Sequence, residues 1–367
     1  MLYTEPMPVL TVSNLRKRFN LEAGFFAPLG RYVHAVNGVS FSIGINECYG
    51  LVGESGCGKT TTARLLVRMY EADEGEILFQ GYDKVVKNFI QDVRQLKGRD
   101  FKRYRERVKY VFQDPARSLN PRMTVFEVLT SGARWSTQQR PPASLKEEAA
   151  GILEEVGLSP ADLERRPAEF SGGQRQRISI ARGLMMKPDL LICDEVVSAL
   201  DVSIQGQILN LLLDLRNKHK SSGEEISFLF IAHDLKVASY FCDRIGVMYH
   251  GEIMEEAPAT VLWKGHLHPY TELLFSSAQN AARGTGVEGA EGVERTEWGE
   301  TGVKGEVRDL PRAEVKSAGA GQLHLTEGCA FAPRCPYAED ACFSEKPRLR
   351  EAEAGHSVRC WRQGERT

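Results

Sequence analysis

The run Gly53-Glu54-Ser55-Gly56-Cys57-Gly58-Lys59-Thr60, with Thr61 beside it, has the residue types and spacing that hold a polyphosphate. Its glycines let the backbone curl until successive N–H groups point inward. Lys59 then supplies a point charge to the outer phosphates, and Thr60 a hydroxyl to Mg²⁺. A second reactive pair, Asp194-Glu195, follows the apolar run Leu190-Leu191-Ile192-Cys193. An aspartate at the end of a buried strand can hold Mg²⁺ through its water shell, because hard cations prefer oxygen ligands. Between these two lies Ser171-Gly172-Gly173-Gln174, a hydroxyl and two glycines ahead of a stretch, Arg175 to Met186, that reads as a helix. The positive end of that helix would attract an anion. Finally, Cys329, Cys335, Cys342 and Cys360 crowd the C-terminal end, whereas Cys48, Cys57, Cys193 and Cys242 stand among apolar neighbours as core residues. In a reducing compartment the C-terminal cluster reads as a metal site rather than as disulfides. Four thiolates suit either Zn²⁺ or an iron–sulfur cluster, and the short Cys-x-x-Cys knuckle usual for zinc is missing.

The elements that must position these groups are legible as alternating runs. Leu10-Thr11-Val12 and Val39 to Ile43 alternate as half-buried strands. Cys48 to Val52 feeds directly into the glycine loop, and Thr60 to Met69 reads as the helix after it. Ile77-Leu78-Phe79 and Tyr110-Val111-Phe112 are further strands, while Leu190 to Cys193 and Phe228 to Ala232 are short continuous apolar runs of the kind buried parallel strands show. The expected fold is therefore α/β around a largely parallel sheet over residues 8–280, with helical spacing from Pro121 to Leu163 broken at Pro141-Pro142. Residues 281–322, rich in Gly, Glu and Ala, read as a flexible linker, and 323–367 as a small cysteine-bearing module.

The 367 residues carry a formal net charge of -2, so no global basic field argues for nucleic acid. No apolar run approaches the ~18 residues needed to span a bilayer; Leu209 to Leu215 comes nearest and is stopped by Asp214 and Arg216. Any membrane association is expected to run through a partner.

Taken in order, the glycine loop, Gln113, Ser171-Gly172-Gly173-Gln174, Asp194-Glu195, Asp201 and His233 resemble the motif set of ABC ATPases. The resemblance implies a P-loop fold of ABC type, with an antiparallel β subdomain and an inserted helical subdomain at about 121–185. It implies an ATPase using ATP and Mg²⁺, in which Thr60, Gln113 and Asp194 attend the metal and Glu195 polarises the attacking water. His233 would sit near the γ-phosphate, and Ser198 to Asp201 would run along a dimer interface. Ser171 to Gln174 would complete the nucleotide site of a second, similar or identical subunit. An aromatic stacks on adenine in this family. Phe19 matches its position, with Phe26 or Tyr32 as alternatives beyond an insertion from Asn20.

His268-Pro269-Tyr270-Thr271, Cys329 to Pro336, and Gln113-Asp114-Pro115 with Ser118 to Arg122 are similar to the ATP-binding subunits of oligopeptide, dipeptide and nickel importers. Val196-Val197 departs from the commoner proline and small polar residue, but Glu195 is kept. This branch implies two membrane permeases, an extracytoplasmic solute-binding protein, a peripheral place on the cytoplasmic side of the membrane, and a [4Fe-4S] cluster on the four C-terminal cysteines, with zinc or free thiols as alternatives. His356, near Cys360, is expected at the surface. A competing function, a non-transport ABC ATPase acting on DNA or ribosomes, would call for a coiled-coil insertion, a second cassette or zinc fingers, none of which is visible.

Overall fold

The computed structural model describes residues 7–20, 32–81, 89–137, 141–223, 225–284 and 327–362. Phe26, residues 285–322 of the expected linker and residues 323–326 of the expected cysteine-bearing module lie outside the described residues. Residues 281–284 belong to a helix instead.

Two sheets build the framework. β1 (Leu10–Asn20), β2 (Tyr32–Ile43), β4 (Glu74–Gly81) and β5 (Phe89–Asp92) form an antiparallel sheet in the order β2-β1-β4-β5. The second sheet runs through β3 (Cys48–Val52), β6 (Val108–Val111), β7 (Leu190–Asp194), β8 (Ser227–Ala232), β9 (Arg244–Tyr249), β10 (Glu252–Pro258), β11 (Arg350–Glu353) and β12 (His356–Val358), in the order β11-β12-β10-β9-β3-β8-β7-β6. Its β9-β3-β8-β7-β6 portion is parallel and its β11-β12-β10-β9 portion antiparallel.

The parallel strands are apolar throughout because both faces are covered. On β8, Phe228 and Phe230 point into one core, and Leu229 and Ile231 into the other, where Leu10, Ile43 and Phe79 of the antiparallel sheet meet them. Successive side chains of a strand alternate faces, so one run of six residues serves both cores.

After α1 (Lys59–Leu66), α2 (Gly98–Arg107) and α3 (Pro115–Ser118), the inserted helices pack on the first of these cores: α4 (Val125–Thr130), α5 (Pro142–Glu155) and α6 (Gly172–Leu184). α4 starts at a capping box in which Thr124 and Glu127 satisfy each other's backbone N–H. The helix expected from Arg175 starts instead at Gly172, for a parallel reason: Ser171 is the N-cap and Gln174 its reciprocal partner. The signature glycines are thus helical residues.

Among the described residues no separate cysteine-bearing module is found. β12 pairs antiparallel with β10, extending the main sheet, and Cys329, Phe331 and Ala332 are buried in the first core. The join is polar as well as apolar. The Glu255 carboxylate, fully buried, accepts from the Leu267 N–H (2.6 Å) and the His268 N–H (3.0 Å), and lies 2.7 Å from His356 Nε2. Burial pushes the Glu255 carboxyl up, but the bonds with His356 and from the two N–H groups outweigh it and hold the group below its ordinary range. His356 is therefore an interior residue and not the expected surface one.

Candidate functional site

β3 ends at Val52, and the glycine loop carries the chain into α1 (Lys59–Leu66). Two glycines are dictated by geometry. A Cβ on Gly53 would lie 2.1 Å from the Met248 carbonyl oxygen, and one on Gly58 2.1 Å from that of Ala35, with φ of 159° and 112°. Gly58 is also the N-cap and supplies no side-chain acceptor, so the first amides of α1 keep their donors for an anion. Lys59 is buried, and its Nζ donates to the carbonyls of Gly53 (2.7 Å) and Glu54 (2.9 Å) and lies 3.7 Å from Cys57 Sγ. Burial pushes the Cys57 thiol up even though Lys59 opposes it, so this sulfur is a packing group. Ser55 and Gly56 face solvent, and Thr61 is half-buried on α1.

Opposite the loop stands the end of β7. The Asp194 carboxylate is 2% exposed, and each of its oxygens has a hydroxyl donor: Thr60 Oγ1 gives to Oδ1 at 3.0 Å, and the Tyr110 hydroxyl gives to Oδ2. Burial, and then the Asp194 charge, push the Tyr110 phenol well up, so it remains a donor.

Glu195 departs from the strand with φ +47°, a left-handed backbone that costs a non-glycine residue about 1–3 kcal/mol. Its N–H donates to the Ile231 carbonyl of β8 at 3.1 Å, and its own carbonyl accepts from the Ser198 N–H (3.1 Å) and Oγ (2.9 Å). The turn aims the side chain at Gln113, whose Nε2 donates to Glu195 Oε2 at 2.8 Å. His233 follows β8, two residues beyond the carbonyl that anchors Glu195, and is exposed. Thr60, Gln113, Asp194 and Glu195 are thus brought together, with His233 on the adjoining strand end.

Other expected residues lie apart from this group. Ser171 and Gln174 spend their hydrogen bonds on each other, with Gln174 N–H to Ser171 Oγ at 3.4 Å and Ser171 N–H to Gln174 Oε1 at 3.0 Å. Gly173 is buried, and a Cβ there would meet Ile204 Cγ2 at 2.8 Å, so its smallness serves packing against α7 (Val202–Ser222). Gly172 and Ser171 are exposed. Asp201 is the N-cap of α7 but makes no side-chain capping bond. Phe19 packs edge-on against Tyr70, centroids 5.3 Å apart, on the antiparallel sheet; Tyr32 lies under the Arg18 guanidinium.

The iron–sulfur expectation is overturned. Among the described residues there is no group of three or more His, Cys, Asp or Glu side chains placed to hold a metal ion. Cys329, Cys335, Cys342 and Cys360 are free thiols around a cavity of ≈ 20 Å³. Burial pushes Cys329 up to about 11, and Cys335 and Cys360 upward as well, so these three are neutral thiols at pH 7.

Two functional contacts escape the sequence reading. Tyr110 had counted only as a strand residue; its one signal is a hydroxyl in an apolar run whose parallel neighbour, β7, ends on an aspartate. The other is the grip on Glu54, whose N–H donates to the Tyr270 hydroxyl at 2.9 Å while its carboxylate accepts from Arg334. Both partners, the acceptor Tyr270 and the donor Arg334, sit inside motifs that the sequence reading uses only as family markers.

Residues 36–198 match the family described as ABC transporter, and residues 254–297 and 305–342 match the oligopeptide/dipeptide transporter C-terminal region. Over 360 residues, 96% of this chain and 89% of the relative, the sequence is 39% identical to a probable peptide ABC transporter ATP-binding protein of Sinorhizobium fredii. It is 38% identical over 356 residues, 96% of each chain, to the oligopeptide transport ATP-binding protein AppF of Bacillus subtilis. Among solved structures it is similar to cbiO1 of Clostridium perfringens, part of the cbiONQ ABC transporter complex (TM-score 0.57, 22% identity, 75% of this chain and 96% of that one). It is also similar to a dimeric ATP-binding cassette in a post-hydrolysis state bound to ADP and phosphate (TM-score 0.55, 24% identity, 68% and 98%). At these identities the structural likeness speaks for the fold alone.

Proposed function

We propose a working cycle on one premise: the chain belongs to the peptide and oligopeptide branch of ABC transporter ATP-binding subunits. It is an ATP-hydrolysing subunit of such a transporter, and membership implies a complex with permease and solute-binding partners.

In our reading the triphosphate lies along the glycine loop from Gly53 to Thr61, on the uncapped start of α1. Lys59 would leave the carbonyls of Gly53 and Glu54 for the outer phosphates. Thr60 and Asp194, already 3.0 Å apart, with Gln113, would hold Mg²⁺ by oxygen, and the ion would neutralise charge on the transferring phosphoryl group. Glu195 would orient the attacking water, with His233 at the γ-phosphate. The observation that carries this reading is the linked chain Thr60–Asp194 and Gln113–Glu195 across the ends of neighbouring elements.

Two chains would close so that Ser171 to Gln174 of each meets the nucleotide of the other, with Asp201 along the seam and Phe19 at the base. Of these, exposed Ser171 and Gly172 are free to approach a partner, whereas Gly173 supports them from behind. The permeases would be reached through the Gln113 region. An open groove of ≈ 610 Å³ adjoins it, lined by Phe101, Lys102, Arg105, Lys109, Trp135 and Arg182, with Trp135 77% exposed. Among the described residues no helix is long and apolar enough to cross a membrane, so we place the chain peripherally on the permeases' cytoplasmic side. Residues 8–280 would be the ATP-binding unit, 281–322 a connection, and 323–367 a return segment docked on it.

Replacing Glu195 with Gln tests the assignment. ATP binding is expected to persist, the closed dimer to accumulate on size exclusion, and turnover to vanish. Normal turnover by Glu195→Gln would refute the role.

A further inference from the structure

The return segment finishes on the phosphate loop. Arg334, in the single helical turn Ala332–Arg334, gives Nη1 to Glu54 Oε2 (2.8 Å) and Nη2 to Oε1 (2.9 Å). This is the paired fork geometry of a strong guanidinium–carboxylate contact. The turn cannot drift: Phe331 is fully buried, with its ring 5.4 Å from Tyr249 and 5.3 Å from Tyr270, and the Arg334 guanidinium lies 5.7 Å from the rings of Tyr249 and Phe331. Tyr270 in turn holds the Glu54 N–H. The second residue of the loop is therefore gripped at its backbone and at its side chain by two points 216 and 280 residues away.

A carboxylate is an awkward neighbour for a triphosphate. Glu54 is half-exposed and sits one residue from Gly53, whose carbonyl binds Lys59. Left alone, its charge would oppose the anion the loop is built to receive, and it would compete for the Lys59 ammonium. We propose that Arg334 is a positioning residue for nucleotide binding: it neutralises the Glu54 carboxylate and holds it turned away from the phosphates, so that seating of the return segment sets the affinity of the loop. The proposal rests on the reading of the loop as the ATP site.

The test is a charge cycle in the full chain, read as the dissociation constant of a fluorescent ATP analogue at low salt. Arg334→Gln should weaken binding about two- to fivefold, the range for losing a half-exposed bidentate ion pair. Arg334→Lys, which keeps the charge but not the fork, should fall in between. The decisive variant is Glu54→Gln combined with Arg334→Gln: with the lone carboxylate gone, at least half of the loss on a logarithmic scale should be recovered. Added salt should shrink all the differences, since the effect is between partly exposed charges. Unchanged binding by Arg334→Gln overturns the proposal, and so does a double variant as weak as the single one, because the arginine would then only anchor the segment. Lys59→Ala separates the two levels: undiminished nucleotide binding there sinks the loop assignment itself, whatever Arg334 does.

Discussion

Tyr110→Phe removes one hydroxyl and nothing else, and it reads out the least anticipated contact in the site. The ring keeps its place beside Phe112, with centroids 4.8 Å apart, so no cavity opens. What disappears is a donor to Asp194 Oδ2, on a carboxylate 2% exposed whose other oxygen is taken by Thr60. A hydrogen bond to a charged acceptor contributes about 1.5–3 kcal/mol, and a buried oxygen left without one loses most of that. For a chain of this size the loss lowers the thermal midpoint by on the order of 3 °C. A functional signature should accompany it. With Oδ2 released, Asp194 can leave the rotamer that faces Thr60, so half-saturation of the ATPase by Mg²⁺ should move to higher concentration while turnover at saturating Mg²⁺ stays closer to normal. The assays are urea denaturation of the purified chain and a Mg²⁺ titration of ATP hydrolysis. A variant within about 0.5 kcal/mol of the parent, with an unaltered Mg²⁺ curve, would show that the tyrosine does not hold the carboxylate.

Two further outcomes follow from buried groups near the site. Burial pushes His268 down to about 4, so the folded chain keeps it neutral while the unfolded chain, at an ordinary value near 6.5, takes up the proton; stability on the order of 3 kcal/mol should be lost as pH falls from about 6.5 to about 4. His268→Asn retains an acceptor for the Tyr270 N–H, which now bonds Nδ1 at 3.0 Å, and should flatten that slope in denaturation midpoints taken across the range; an unchanged slope would place the effect elsewhere. Gly173→Ala should force a methyl into the space of Ile204 Cγ2, costing about 1–3 kcal/mol and displacing the start of α7. Adding Ile204→Ala should restore much of the lost ATPase activity, and failure to do so would mean that Gly173 is needed for approach to phosphate rather than for packing.

The parallel half of the main sheet was readable because each strand carries its own signal. Leu190 to Asp194 and Ser227 to Ala232 are apolar on both faces, and the glycine loop sits where a strand hands over to a helix. The closeness of Gln113, Asp194, Glu195 and His233, on which the proposed catalytic roles rest, has the same origin, since each stands at or just after a recognisable strand end. What escaped depends on contacts between distant parts of the chain. No local pattern says that Val358 will lie beside Glu255, or that the interior needs His356 to face a buried carboxylate. The start of α6 was missed by three residues because the reciprocal bonds of Ser171 and Gln174 draw two glycines into the first helical turn. The cysteines misled because closeness along the chain does not bring three or more ligand side chains around one point, and among the described residues no such group forms.

The place of β10 between β9 and the late-arriving β12 has consequences for how the protein is made. Its inner side pairs with β9 as soon as a tight turn is complete, but its outer side waits for β12. About a hundred residues of chain separate the two, so at about 5–20 residues per second the ribosome needs roughly 5 to 20 s to deliver the partner. Throughout that interval a row of backbone donors and acceptors is open to any other nascent strand. β10 is written for the wait: until β12 arrives, Glu252, Glu255 and Glu256 give the open side repelling charge, and the closing Pro258 offers no N–H donor. The same carboxylates later become acceptors for Lys346, His356 and Arg244, so groups that keep nascent chains apart become the fastening of the finished one.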